Sequence, residues 1–231
     1  MEIGKSAGKD FAYLLGVYLG DGCITRNGNN PVFRLNTIDE DFAEAVKRAL
    51  YSVTGKEARI CKHEVSKSSK PNYSLQCNGI NEFCAFLSDF TDGKQTIPGA
   101  VHLIPRDQRL AFIVGLMDSE GFVAANSNPT NRRYYMGYKS CDPWVQDFIR
   151  ILQSVGIRIG KVSKEKPRKP GYKKPTRFAI KMQSWIDSGA RFNIARKQNR
   201  VDEWASAGAY ENRSRHPRRS TPETNTPDTV R

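Results

Sequence analysis

FAYLLGVYLGDG, residues 11–22, and LAFIVGLMDSEG, residues 110–121, are two versions of one phrase: an apolar run, then an acid, then a glycine. In the first copy Ala12, Gly16 and Gly20 fall at i, i+4 and i+8, and in the second Ala111, Gly115 and Ser119 repeat the spacing. On a helix this spacing lays a stripe of small side chains down one face. Two such stripes let helix backbones approach more closely than leucine-sized contacts allow, so the two copies are expected to pack on each other. In a parallel arrangement Asp21 and Glu120 come side by side just beyond the seam, with Gly22 and Gly121 as left-handed caps. Each carboxylate opposes the dipole of its own helix and repels the other, so a cation is expected between them. Hard carboxylate oxygens suit Mg²⁺, which takes one or two carboxylates and completes its shell with water and phosphate oxygens.

The two phrases resemble the paired motifs of the single-chain LAGLIDADG homing endonucleases. Gly16, Asp21 and Gly22 in the first copy, and Gly115, Asp118, Glu120 and Gly121 in the second, stand where that family has them. The first copy departs from the pattern at Leu19, where the second has Asp118, but that position is not the metal-binding acid. The resemblance implies an α+β fold of two pseudo-symmetric α-β-β-α-β-β-α halves with antiparallel DNA-binding sheets, packed through the motif helices. It implies a monomer that acts as a pseudo-dimer on double-stranded DNA, cutting both strands across the minor groove and leaving 3′ overhangs at a long, imperfectly palindromic site. Asp21 and Glu120 are then the catalytic, metal-binding acids, with Gly20 and Ser119 beside them in the metal shell. The cofactor is Mg²⁺ or another divalent cation such as Mn²⁺. The family also places a lysine after the last strand and helix of each half. Lys94 in DGKQTIP and Lys197 in ARKQNR match it, 103 residues apart, as catalytic groups that stabilise charge on the phosphate or tune the attacking water.

Composition points the same way. Lysine and arginine number 37 against 24 acids, a formal charge of +13, which favours a polyanionic partner, nucleic acid before a membrane surface. The longest apolar runs are about ten residues, too short to span a bilayer. The first ten residues are polar and mixed in charge, unlike a signal peptide, so an intracellular protein is expected. The five cysteines are scattered and never form a C-x-x-C pair, and His63, His102 and His216 are equally dispersed. They read as free thiols in a reducing compartment, with no zinc site.

Along the chain, Asp10 reads as the N-cap of the first motif helix. Strands are expected at 23–26 and 32–37 around the turn RNGNNP, a helix at 39–53, strands at 58–65 and 72–78, and a helix at 80–90. The second half repeats the order: strands at 122–125 and 134–140, a helix at 142–155, strands at 157–163 and 177–183, then helical segments near 184–192 and 196–207. Landmarks keep a nearly fixed offset, 99 residues from Asp21 to Glu120 and 105 from Leu75 to Ile180. The domains are therefore drawn as 1–98 and 99–209, followed by a basic, disordered tail at 210–231.

In NYSLQCN and RFAIKMQ one face is apolar and the other polar. The polar sets Asn72, Ser74, Gln76 and Asn78, and Arg177, Lys181 and Gln183, carry the groups that read base edges in the major groove. Arg26, Arg34, Asn36, Arg133 and Lys139 extend that DNA-binding surface. The loop KEKPRKPGYKK, residues 164–174, is placed to run along flanking phosphates. The function read from all this is a site-specific homing endonuclease. The alternatives are an intron RNA maturase and a non-cleaving DNA-binding regulator of the same fold. Acids in both motif copies argue against the regulator, and the end DTVR lacks the His-Asn terminus of an intein.

Overall fold

The computed structural model describes residues 5–64, 70–126, 133–165 and 174–211. It is built of two α+β halves, each carrying one four-stranded antiparallel sheet. The first comprises α1 (Lys5–Leu19), β1 (Cys23–Asn27), β2 (Asn30–Thr37), α2 (Glu40–Thr54), β3 (Arg59–His63), β4 (Asn72–Cys77) and α3 (Asn81–Phe90). A 3-10 turn, Gly99–His102, leads into the second half. There follow α4 (Arg106–Ser119), β5 (Gly121–Ala125), β6 (Tyr134–Ser140), α5 (Val145–Ser154), β7 (Ile159–Lys164), β8 (Thr176–Ile180), α6 (Met182–Ser188) and α7 (Ala195–Glu211). The sheet orders are β1-β2-β4-β3 and β5-β6-β8-β7, so the two halves share one topology.

Local chemistry sets the corners. Asn27 pairs with Asn30, leaving Gly28–Asn29 as a two-residue hairpin loop. Gly28 takes φ +59°, the left-handed position that such a loop needs at its first residue. Helix α2 buries Phe42, Val46, Ala49 and Leu50 on one face and ends at Gly55, a left-handed cap whose N–H donates to the Tyr51 carbonyl at 2.8 Å. In β4 the alternation is clean: Tyr73, Leu75 and Cys77 are buried while Asn72, Ser74 and Gln76 are only half-buried. The core of the second sheet is aromatic, with Tyr138 against Phe148 and Phe178 at ring separations of 4.9 and 5.5 Å.

Helices α1 and α4 pack side by side in parallel at the centre. A Cβ on Gly16 would lie 2.2 Å from the Phe112 carbonyl oxygen, and one on Gly115 2.2 Å from that of Tyr13. Gly20 abuts Ser119, and Gly8 abuts Gln108. The seam therefore runs in register, with backbone against backbone.

Four expectations are corrected. Asp10 is no N-cap: α1 begins at Lys5, and Gly8 extends the small stripe one turn further back than residue 12. Gly22 and Gly121 are not left-handed, as neither has positive φ. They are glycine because a Cβ would strike Tyr18 Cα at 3.0 Å and the Met117 carbonyl oxygen at 2.5 Å respectively. Strand β8 ends at Ile180, so Lys181 and Gln183 leave the sheet: Lys181 precedes α6 and Gln183 lies within it, bonded to Asp187. Met182 and Trp185, both buried, need helical spacing to reach the same core, and that switches the backbone from strand to helix. Finally, α7 runs to Glu211, past the expected end near 207. The tail from 212 and most of the basic loop, 166–173, lie outside the described residues.

Among the described residues no helix is long and apolar enough to cross a membrane, and no three His, Cys, Asp or Glu side chains form a metal-binding group. None of the five cysteines forms a disulfide.

Candidate active site and nucleic-acid interface

The parallel seam brings the ends of α1 and α4 together, and with them Asp21 and Glu120. Asp21 is exposed and Glu120 half-buried. Partial desolvation raises the Asp21 carboxyl above its ordinary value, opposed by the charges of Lys197 and Lys94. Glu120 is pushed up to about 7, first by desolvation, then by repulsion from Asp21 and Asp142, with Lys94 and Lys197 pulling it back. Two carboxylates and a third nearby acid at two helix C-termini make a locally negative focus that a divalent cation would neutralise. The donor set therefore fits a hard cation held by Asp21 and Glu120, with solvent or phosphate filling the rest of the shell.

The sign of the linkage follows. Glu120 has its folded value raised from 4.5 to about 7, so between these values the folded state keeps a proton that the unfolded state has lost. With EDTA present, stability is expected to fall as pH rises through that window and to level off above it. Thermal unfolding should reveal the slope, and E120Q should flatten it.

Both expected lysines reach this place, by different routes. Lys94 sits in a turn where Asp92, Gly93 and Lys94 all have positive φ, +48°, +56° and +73°. A non-glycine residue there costs on the order of 1 kcal/mol, so the turn holds two strained positions. Bonds from Lys94 N to Thr91 Oγ1 (3.1 Å) and from Gly93 N to the Ser88 carbonyl (2.8 Å) fix it. The strained turn aims Lys94 Nζ at the Gly20 and Gly22 carbonyls, 2.7 and 3.0 Å away, above the Tyr18 ring. Lys197 instead rises from the first turn of α7 and donates to the Met117 and Asp118 carbonyls at 2.8 and 2.6 Å. Burial lowers its pKa to about 8. Each ammonium thus caps the C-terminus of the motif helix in its own half.

Each lysine is also clasped by the other half. Trp144 Nε1 donates to the Lys94 carbonyl at 3.0 Å. Arg196, next to Lys197, makes a two-pronged pair with Asp39 at 2.6 and 2.7 Å, and Ala195 N donates to Asp41. Lys197→Met should cost about 2 kcal/mol of stability, because two buried carbonyls lose a charged donor. Chemical denaturation measures it. Lys94→Met, at a half-buried site, should cost less.

Sequence reasoning missed the network around Asp118. This side chain is 1% exposed and accepts hydrogen bonds from Tyr13 Oη (3.2 Å), Asn193 N (3.2 Å) and Asn193 Nδ2 (3.0 Å). Desolvation raises it to about 6 against those bonds. It ties α1, α4 and the segment before α7 together, and Leu19 fills the corresponding place in the first half. No local signal marks Asn193 as its partner.

Of the expected DNA-facing residues, Arg34, Asn36, Ser74 and Gln76 share the outer face of the first sheet: Arg34 pairs with Gln76 and Asn36 with Ser74. Register adds Arg59 opposite Gln76 and His63 opposite Asn72, neither marked by the sequence. A cleft of about 340 Å³ joins Asp21 and Ser119 to Asn36, Asn72 and Arg196, so Asp21 opens onto this face. Arg26 is exposed near the end of β1 and Asn78 just beyond β4. In the second half Lys139 and Arg177 pair across strands, and both salt-bridge Glu165, at 2.5 and 3.1 Å. Arg133 lies just before β6, its N–H bonded to Asn126 Oδ1. Gly20 and Ser119 face one another at the seam, the Gly20 carbonyl engaged by Lys94 and Ser119 Oγ by the Gly115 carbonyl.

Residues 8–90 match the model of a family described as a LAGLIDADG-like domain. The uncharacterized protein MJ0398 of Methanocaldococcus jannaschii is 25% identical over 126 residues, 54% of this chain, and the match spans 43% of that relative's length. Among solved structures, I-DmoI in complex with DNA and Mn is similar at TM-score 0.52 and 14% identity, over 78% of this chain and 94% of that one. The homing endonuclease I-WcaI bound to its DNA recognition sequence is similar at TM-score 0.57 and 11% identity, over 87% and 88%. Full-length DUF199/WhiA from Thermatoga maritima is similar at TM-score 0.52 and 12% identity, over 91% and 68%. At these identities the structural likeness is one of fold. Residues 8–90 therefore match a LAGLIDADG-like domain, and the chain as a whole shares the two-domain α+β fold of I-DmoI and I-WcaI.

Proposed function

We propose that this protein is a site-specific endonuclease that makes a metal-dependent double-strand break in a long, pseudo-palindromic DNA target by phosphodiester hydrolysis. The observation that carries the reading is the meeting of Asp21 and Glu120 at the ends of two parallel helices, with Asp21 lining a cleft that reaches Asn36 and Asn72 of the first sheet. The DNA and Mn bound by I-DmoI, and the recognition sequence bound by I-WcaI, support it by analogy of fold.

In this reading the outer faces of the two sheets lie in successive stretches of major groove, and the seam lies over the minor groove between them. A divalent cation, Mg²⁺ first, held by Asp21 and Glu120 would polarise phosphoryl oxygens and lower the pKa of water. Lys94 and Lys197 keep two positive charges beside the acids, where they stabilise negative charge building on the phosphate. Because their ammonium groups also cap α1 and α4, they hold the two acids in position. Lys94→Met and Lys197→Met are expected to slow cleavage more than they weaken binding; the opposite ranking would make them phosphate anchors.

The test is selection of bound duplexes from a randomised library, followed by exposure to Mg²⁺. A long, partly symmetric site that is then cut supports the proposal. A site that is bound and never cut makes the protein a DNA-binding regulator, and preference for structured intron RNA makes it a maturase.

A further inference from the structure

The two sheets share a topology but not a surface chemistry. In the first, one row across all four strands reads Cys23, Arg34, Gln76, Arg59, each directly opposite the next. The corresponding row of the second begins at Phe122, 99 residues after Cys23, and continues through Gly137 and Ala179. Gly160 lies beside Ala179, a Cβ built on it falling 3.2 Å from the Ala179 Cβ. Where one half carries two guanidiniums and an amide, the other carries glycine, alanine and glycine.

An aromatic ring fills part of the vacated space. The Phe122 ring lies over Gly137, its Cζ 2.7 Å from where a Cβ would stand, which is why position 137 has no side chain. Arg177 covers the same ring, its guanidinium carbon 5.0 Å from the centroid. Ala124 and Tyr135 pair across β5 and β6 on this face, with Tyr135 49% exposed. The charged pair beside the shelf, Lys139 and Arg177, is already engaged by Glu165. Along this row hydrogen-bonding side chains are thus confined to the first half, and the second offers ring and methyl groups bordered by the cations of Arg177 and of Lys181, whose Cε comes within 3.8 Å of a Cβ built on Gly160. In the major groove, the one apolar group on a base edge is the thymine 5-methyl.

We propose that the C-terminal sheet recognises its half of the DNA target by packing thymine 5-methyl groups on the shelf of Phe122, Ala124, Tyr135 and Ala179, while the N-terminal sheet reads base edges through Arg34, Gln76 and Arg59. This rests on the DNA-binding reading above and adds to it a recognition chemistry that differs between the halves. It requires neither cleavage nor any particular metal.

The test uses the duplex recovered by selection, with thymines replaced by deoxyuridine in one half-site at a time, and measures affinity with Ca²⁺ in place of Mg²⁺. Each methyl in contact should be worth about four-fold in Kd, from about 0.8 kcal/mol per buried methyl-sized group. The loss is expected in one half-site, with little change in the other. Tyr135→Ser, at an exposed position away from the acids, should shrink that loss and so identify the half-site that the C-terminal sheet occupies. Equal losses in both halves, no loss in either, or a loss unchanged in Tyr135→Ser would overturn the inference while leaving DNA binding intact. Selection of no duplex would overturn both together.

Discussion

Replacing Asp21 with asparagine, or Glu120 with glutamine, should lower the cleavage rate at least on the order of 10³-fold while leaving affinity for the target nearly unchanged. The exchange keeps shape and removes one charge from the pair that converges at the helix ends. A metal centre's contribution to stabilising charge in the transition state is several kcal/mol, and 1.36 kcal/mol is tenfold in rate. Binding should survive, because the proposed reading spreads affinity over the sheet faces and phosphate contacts and assigns none of it to either acid. Removing a carboxylate near DNA also relieves repulsion, so a small gain in affinity is the expected direction. Single-turnover cleavage, with binding measured in Ca²⁺, checks both halves of the statement. Cleavage by either variant at the wild-type rate would remove Asp21 and Glu120 from the chemistry.

The second large effect is on stability. Gly115→Ala adds one methyl group, and its carbon would stand 2.2 Å from the Tyr13 carbonyl oxygen and 3.0 Å from Val17 N. Both obstacles are helix backbone, so no side chain can turn aside, and α1 and α4 must move apart along their whole contact. Overpacking of side chains typically costs 1–3 kcal/mol, and a backbone clash at a central seam should reach about 3 kcal/mol or more. Gly99→Ala is the control: nothing lies within 4 Å of a Cβ there and its φ is not positive. Denaturant unfolding of the two variants should separate them clearly. The seam also sets the spacing of Asp21 and Glu120, so residual folded Gly115→Ala protein should cleave slowly.

The helix seam was legible because its signal is local and repeated: small residues every fourth position, twice, with an acid at the same distance from each. The strands were legible where burial alternates, as in β4. What stayed hidden depends on partners distant in sequence. Arg59 joins the row of Arg34 and Gln76 only through its register with Gln76. Asp118 and Asn193 are 75 residues apart and meet only when α7 folds back. The apolar alternation at Phe178, Ile180 and Met182 fits a strand or the entry to a helix, and Trp185, one helical turn on, decides for helix by filling the core. At Gly22 and Gly121 close packing stands where the sequence leads one to expect a left-handed cap. A left-handed cap and a close approach to neighbouring backbone both demand glycine, and only the distances to Tyr18 and Met117 tell them apart.

Asn36, Ser74 and Gln76 lie on the expected sheet face, whereas Lys181 and Gln183 lie beyond β8, and the row Phe122, Gly137, Ala179 of the second sheet lacks the hydrogen-bonding side chains that Arg34 and Gln76 bring to the first. The pseudo-symmetry of the fold therefore does not extend to its surface chemistry.

The most direct measurement is to incubate the selected duplex with purified protein in Mg²⁺ and, in parallel, in EDTA, and to map any new ends on both strands. The account predicts cuts on both strands in Mg²⁺ only, staggered across one minor groove at the centre of the site to leave 3′ overhangs. Cleavage that persists in EDTA, or a duplex bound tightly in Mg²⁺ and left whole, would contradict it.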